Sequence, residues 1–149
     1  EERASPPLAM RSETWTRPKT HWASVSPVVL DRHPKADPGK PEERQAYIAE
    51  VQEIIAASCR RIGLPTPAEI DIDKTSWHVG APRAKPGPDG YPLMPTRPGG
   101  PNRRQVHVWL RFDTAVRGPV LLGAGRYRGY GLCKPWRAPD AGEKRNPQA

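Results

Sequence analysis

The sequence holds little of what disulfide, zinc or membrane proteins are built from. It has two cysteines, Cys59 and Cys133, which supply neither a disulfide framework nor paired zinc-ligand spacing. A reducing cytoplasm is the compartment this implies. No apolar run approaches the roughly 18 residues of a membrane-spanning helix, and Glu1 to Pro7 carry no signal-peptide apolar stretch. Hydrophobic residues make up 36% of the chain, so the expected core is small and docking onto a larger partner suits it. Carboxylates are scattered, and Asp71 with Asp73 merely face outward from a strand pattern, so no metal site and no cofactor are expected. There is no internal repeat. Between Asp113 and Asp140 there is no acidic residue at all.

What is present is positive charge, proline and glycine. The formal net charge is +8, a balance that points to an acidic polymer as partner. A membrane surface is the poorer choice, because binding there needs a basic amphipathic helix. The best helix has mixed charge, with Glu42, Glu43, Glu50 and Glu53 set against Arg44, Arg60 and Arg61. With 20 prolines and 13 glycines, a few regular elements must be joined by long irregular connections.

Residues 1–20 are polar and proline-rich and read as a linker from an upstream domain. His21 to Leu30 reads as a strand, with Pro27 suggesting an edge or bulge. From Pro41 to Ile62, Tyr47, Ile48, Val51, Ile54, Ile55 and Ile62 recur at helical spacing. Pro41 with Glu42 and Glu43 suits the start of that helix, and Gly63 its stop. Glu69 to Ser76 alternates Ile70 and Ile72 with Asp71 and Asp73, a half-buried strand. Trp77 to Arg104 is a long loop carrying Arg83, Lys85, Arg97, Arg103 and Arg104 against Asp89. Gln105 to Phe112 alternates Val106, Val108 and Leu110 with His107, Trp109 and Arg111, a further strand. Arg117 to Leu122 reads as a turn or very short helix, and Tyr130 to Lys134 as the last strand. The expected domain spans residues 21–136, and residues 137–149 read as a disordered tail.

This order gives an α+β, ferredoxin-like (RNA-recognition-motif-like) β-α-β-β-α-β plan with a degraded second helix. Its sheet carries helices on one face and leaves the other free to bind. Gly123, Gly125, Gly129 and Gly131 punctuate a loop with Arg126, Tyr127, Arg128 and Tyr130 between them and Lys134 just after. Glycine lets backbone approach a ligand closely, exposed amides in such loops cradle phosphate, and arginine and tyrosine add phosphate contacts and stacking faces. The expected role is to grip a nucleic-acid backbone. A solvated basic turn is the plainer alternative.

Residues 118–135, from Gly118-Pro119-Val120 through that loop to Lys134-Pro135, resemble the C-terminal glycine-rich signature of the RAMP superfamily of CRISPR proteins. With Trp22, Val25 to Lys35 and His107 to Phe112, the chain resembles the C-terminal module of the type I-G (formerly I-U) CRISPR fusion over roughly residues 15–137. The resemblance implies a metal-independent endoribonuclease that cuts precursor RNA within each repeat. It also implies an enzyme that stays on the guide RNA 3′ stem-loop, among the other subunits of a type I surveillance complex. Such cleavage needs a base for the ribose 2′-OH, a proton donor for the leaving oxygen, and cations for the charged transition state. Histidine suits either proton role.

His33 follows the first strand, where relatives commonly carry their catalytic histidine, and Arg32 and Lys35 flank it to stabilise the phosphorane. His107 is the rival, on the polar and aromatic face of its strand. His21 and His78 rank lower. The family often has two tandem ferredoxin-like folds where this chain has one, which leaves the choice of histidine open. A non-catalytic subunit that only holds the repeat stem-loop would use the same glycine loop. A generic RNA-recognition-motif protein fits less well, since Phe112 is the sole phenylalanine.

Overall fold

The structure, a computed structural model, describes residues 11–85 and 90–137. In chain order it contains α1 (Ser12–Thr16), β1 (Lys19–Ser24), β2 (Val28–Val29), α2 (Arg44–Arg61), β3 (Glu69–Asp73), β4 (Gln105–Val116), β5 (Val120–Leu121) and β6 (Leu132–Pro135). Short 3₁₀ turns lie at Pro41–Glu43, leading into α2, and at Arg126–Arg128.

The helix forms where its apolar spacing places it. Tyr47, Val51, Ile54, Ile55 and Cys59 line one buried face, and burying each large side chain contributes roughly 1.5–3 kcal/mol. Gly63, at φ 87°, ends it: its amide and that of Leu64 turn back onto the carbonyls of Arg60 and Cys59.

β4 is the spine of the sheet. It pairs antiparallel with β3 (Ile70 opposite Leu110, Ile72 opposite Val108) and with β1 (Trp22 opposite Leu110, Ala23 opposite Trp109). β6 adds to β1, with Ala23 opposite Lys134, and β5 to β6. The four longer strands therefore run β3-β4-β1-β6, the arrangement that a β-α-β-β-α-β connection produces. The fold is α+β and ferredoxin-like. Trp22, Val106, Val108, Leu110 and Phe112 on one face of this sheet form the core with α2.

Four expectations are corrected. The strand read as His21 to Leu30 is two, because the chain breaks at Val25 to Pro27. Proline lacks the amide hydrogen a continuous ladder needs. The expected turn or short helix at Arg117 to Leu122 is instead β5; the crossover from β4 to β6 has no α-helix and contains β5 and a 3₁₀ turn. The segment read as linker carries α1 and begins β1 at Lys19. Finally, the second face of the sheet is not open near His107. Trp77 packs there with Ala23 and Trp109, against a partly buried Trp136, and Ser76 Oγ donates to the Ser24 carbonyl at 2.6 Å. The expected tail lies outside the described residues, save Arg137. Among the described residues no helix is long and apolar enough to cross a membrane.

Candidate functional site

The segment Asp31 to Ala36, between β2 and α2, is held from three sides. The Arg103 guanidinium donates to the carbonyls of Leu30 and Asp31 at 3.2 and 3.1 Å. The Asp31 carboxylate accepts from Ser58 Oγ at 2.5 Å and pairs with Arg61 at 2.6 Å. Glu50, on α2, accepts the Lys35 amide at 2.9 Å on both oxygens, the Ala36 amide at 3.1 Å, and Arg32 at 2.8 Å. Those backbone donors, then Arg32, hold the Glu50 carboxyl at about 2.

On this fastened segment His33 is exposed. It opens on a cleft of about 420 Å³, also lined by Lys74, Lys85, Arg103 and Arg104. Among the described residues no carboxylate lines this cleft. Lys74 Nζ donates to the Gln105 carbonyl at 3.0 Å; desolvation, and then the neighbouring Arg104 charge, lower its pKa. The cleft thus presents one titratable imidazole to a concentrated positive field, suited to an anionic ligand.

The two cations expected beside His33 stand differently. Arg32 is engaged by Glu50, and Lys35 is exposed but does not line the cleft. The described cations that line the cleft with His33 are Lys74, Lys85, Arg103 and Arg104.

His107 does not meet solvent, contrary to the expectation of an open face; it is 0% exposed. Its Nε2 lies 2.7 Å from the Pro82 carbonyl, so Nε2 carries the proton and donates. Nδ1 then accepts from Ser24 Oγ at 2.8 Å, while that hydroxyl accepts the Val108 amide at 2.9 Å. Both ring nitrogens are committed inside the protein, Nε2 pinning the long loop and Nδ1 tying β4 to β1, and burial lowers the pKa. His78 does similar work, its Nε2 shared between the carbonyls of Ala23 and Lys134 at 3.1 and 3.3 Å. His21 lies edge-on to Trp109 with ring centroids 5.5 Å apart.

The glycine loop is folded onto β2 rather than opened as a cradle. The amides of Ala124 and Gly131 donate to the carbonyls of Val29 and Pro27 at 2.9 and 2.7 Å, and those of Arg128 and Tyr130 to Gly125 at 2.8 and 3.2 Å. A Cβ on Gly123 would sit 2.2 Å from the Val29 carbonyl oxygen, and one on Gly131 1.9 Å from that of Leu122. These glycines allow backbone to meet backbone. Arg126 donates to the Gly123 carbonyl at 3.0 Å and lies 4.8 Å over the Tyr127 ring. Lys134 lies 5.8 Å over Trp15. Arg128, Gly129 and Tyr127 are exposed. The loop is tied to the His33 cleft through the Pro92 carbonyl, which accepts both Tyr130 Oη and the cleft residue Gln105's Nε2 at 2.8 Å.

Comparison with known families bears on this arrangement. The model of the CRISPR-associated protein, GSU0054 family, matches residues 8–135. The chain belongs to the GSU0054 family of CRISPR-associated proteins. No curated protein and no solved structure matches it.

The stretch shared with the GSU0054 family contains the His33 cleft, the long loop and the glycine loop together. Sequence reasoning missed Lys74 in this family member because a lysine at a strand end breaks no pattern. Arg103 and Arg104 had a signal, as adjacent cations directly before β4, but only as part of the loop's charge. Among the described residues no three His, Cys, Asp or Glu side chains gather in a metal-holding group.

Proposed function

We propose that this GSU0054-family chain is a CRISPR precursor-RNA endoribonuclease that cuts within the repeat. The ribose 2′-OH attacks the adjacent phosphate and leaves a 2′,3′-cyclic phosphate and a 5′-OH. The observation that carries this reading is the cleft: an exposed histidine on a fastened segment, faced by Lys74, Lys85, Arg103 and Arg104, with no carboxylate among the described residues that line it. His33 takes the 2′-OH proton as the O2′–P bond forms. The P–O5′ bond breaks and the departing oxygen takes a proton from Lys74, whose lowered pKa suits a donor. Arg103, Arg104 and Lys85 stabilise the charge on the phosphorane. The reaction needs proton transfer and positive charge, both of which side chains supply.

On this reading the chain is the repeat-processing module of the type I-G fusion. It keeps the repeat stem-loop of its product and sits with the other subunits of a type I surveillance complex. Exposed Arg128 and Tyr127, on the loop tied to the cleft through the Pro92 carbonyl, are suited to holding the RNA beside the cut.

The test is cleavage of the cognate repeat RNA in excess EDTA, with and without 2′-deoxy substitution at the scissile nucleotide. The proposal expects one cut ending in a cyclic phosphate, blocked by the deoxy substitution. A cut leaving a 5′-phosphate, or dependent on a divalent ion, overturns it. Tight binding with an intact repeat assigns the chain to stem-loop holding instead.

A further inference from the structure

A second pocket adjoins the His33 cleft. It has a volume of about 290 Å³ and lies between α2 and the β3–β4 edge. Lys74 and Arg104 line both cavities. These two residues therefore border both spaces, with Lys74 Nζ on the Gln105 carbonyl at the cleft side, and a phosphate held between them touches both.

The two cavities differ in chemistry. The floor of the second is apolar and aromatic, formed by Tyr47, Ile48, Ile72 and Val106. Its rim is polar, with Arg44 and Asp73 joining the two shared cations. Ile48 and Ile72 are half-buried, so the floor is preformed by core packing. An apolar slot with a few convergent polar groups is the usual form of a small-ligand site, and this one stands at the lower end of the roughly 300–1,000 Å³ such sites span. The ligand it suits is flat, with hydrogen-bonding edges and an anionic attachment at the Lys74–Arg104 boundary.

We infer that this pocket seats the base of the nucleotide whose phosphate lies in the His33 cleft, and so contributes to choosing where the RNA is cut. The inference rests on the reading of that cleft as the phosphate site. Lys74 and Arg104 hold the phosphate from one side, Ile48 and Ile72 contact the base face, and Asp73 and Arg44 offer an acceptor and a donor to its edges. An unpaired nucleotide reaches such a pocket, because its base is not stacked in a duplex.

The experiment uses the full chain with labelled isoleucine methyls, titrated with the four ribonucleoside 3′-monophosphates and, separately, with inorganic phosphate. The inference expects saturable shifts of the Ile48 and Ile72 methyls with nucleotide and none with phosphate. Ile48→Trp, which fills the pocket, should remove the Ile72 shift while phosphate still perturbs the His33 ring. Arg44→Glu, on an exposed position, should weaken nucleotide binding about tenfold and gives an independent answer if Ile48→Trp does not fold. Nucleotides that perturb only the His33 ring, as phosphate does, overturn the inference, as does binding indifferent to both substitutions. His33→Ala should keep the nucleotide shifts. Failure of the repeat to be cut would therefore count against the cleavage mechanism while these shifts decide the base pocket separately.

Discussion

At the scale of single residues, two histidines with the same intrinsic chemistry are set to opposite uses by their surroundings. His33 is exposed among cations, whereas His107 has both nitrogens committed inside the protein. Replacing His33 by alanine should leave the melting temperature unchanged and lower the single-turnover cleavage rate about 10²–10⁴-fold, as loss of a proton-transfer group does. His107→Ala should do the reverse. It leaves the Pro82 carbonyl without its donor and Ser24 without its acceptor, so it should cost about 1–3 kcal/mol of stability, read as a shift in the denaturation midpoint. The same contrast governs acid behaviour. Burial lowers the pKa of His107 and of His78 from 6.5, so the unfolded chain binds those protons more readily. The stability they contribute is complete above about 6.5 and is lost as pH falls below it. Glu50, held at about 2 against 4.5, adds a second loss between those values. A pH series of thermal melts should therefore show decline beginning on the histidine side of neutrality and continuing at carboxylate pH.

At the scale of elements, the glycine loop is where local chemistry is most exposed to test. Gly131, at φ 70° with a carbonyl oxygen 1.9 Å from its absent Cβ, cannot accept alanine without moving β5 or β6. Gly129, at φ 86°, meets nothing. Gly129→Ala should cost about 1–2 kcal/mol from backbone conformation alone, and Gly131→Ala distinctly more, both measured by equilibrium unfolding. How much of this was legible in the sequence follows from which signals are periodic. α2 was read as Pro41 to Ile62 and runs Arg44–Arg61 behind a 3₁₀ turn, a close match because Tyr47, Val51, Ile54 and Ile55 repeat at helical spacing and that spacing is what the core selects. The alternation in β4 assigned Val106, Val108 and Leu110 correctly to one face. Alternation says which residues share a face but not what lies over it, so the loop closing over His107 and Trp109 was invisible. Glycine identity signals freedom of backbone without saying whether a ligand or a neighbouring strand uses it. Here Val29 and Leu122 use it. Lys74 escaped notice for the simplest reason: it becomes part of a site only when β3 places it beside Arg104.

At the scale of the whole molecule, a chain of net charge +8 places Lys74, Lys85, Arg103 and Arg104 in the cleft where function is proposed, with no carboxylate among the described residues that line it. RNA affinity should fall steeply with salt as phosphate-bound counterions are released. Lys85→Ala and Arg128→Ala should each weaken binding of every RNA sequence alike and reduce the salt slope by about 1, measured by filter binding across a salt series. The central claim is narrower than affinity: the cleft around His33 cuts what it binds. The most direct measurement is single-turnover cleavage of cognate repeat RNA in excess EDTA by the unaltered chain and by His33→Ala, with binding of both measured in parallel. The account predicts a cut by the unaltered chain that disappears in the variant while binding stays within a few-fold. A cut that survives in His33→Ala, or a repeat bound tightly and left whole by both proteins, would contradict it.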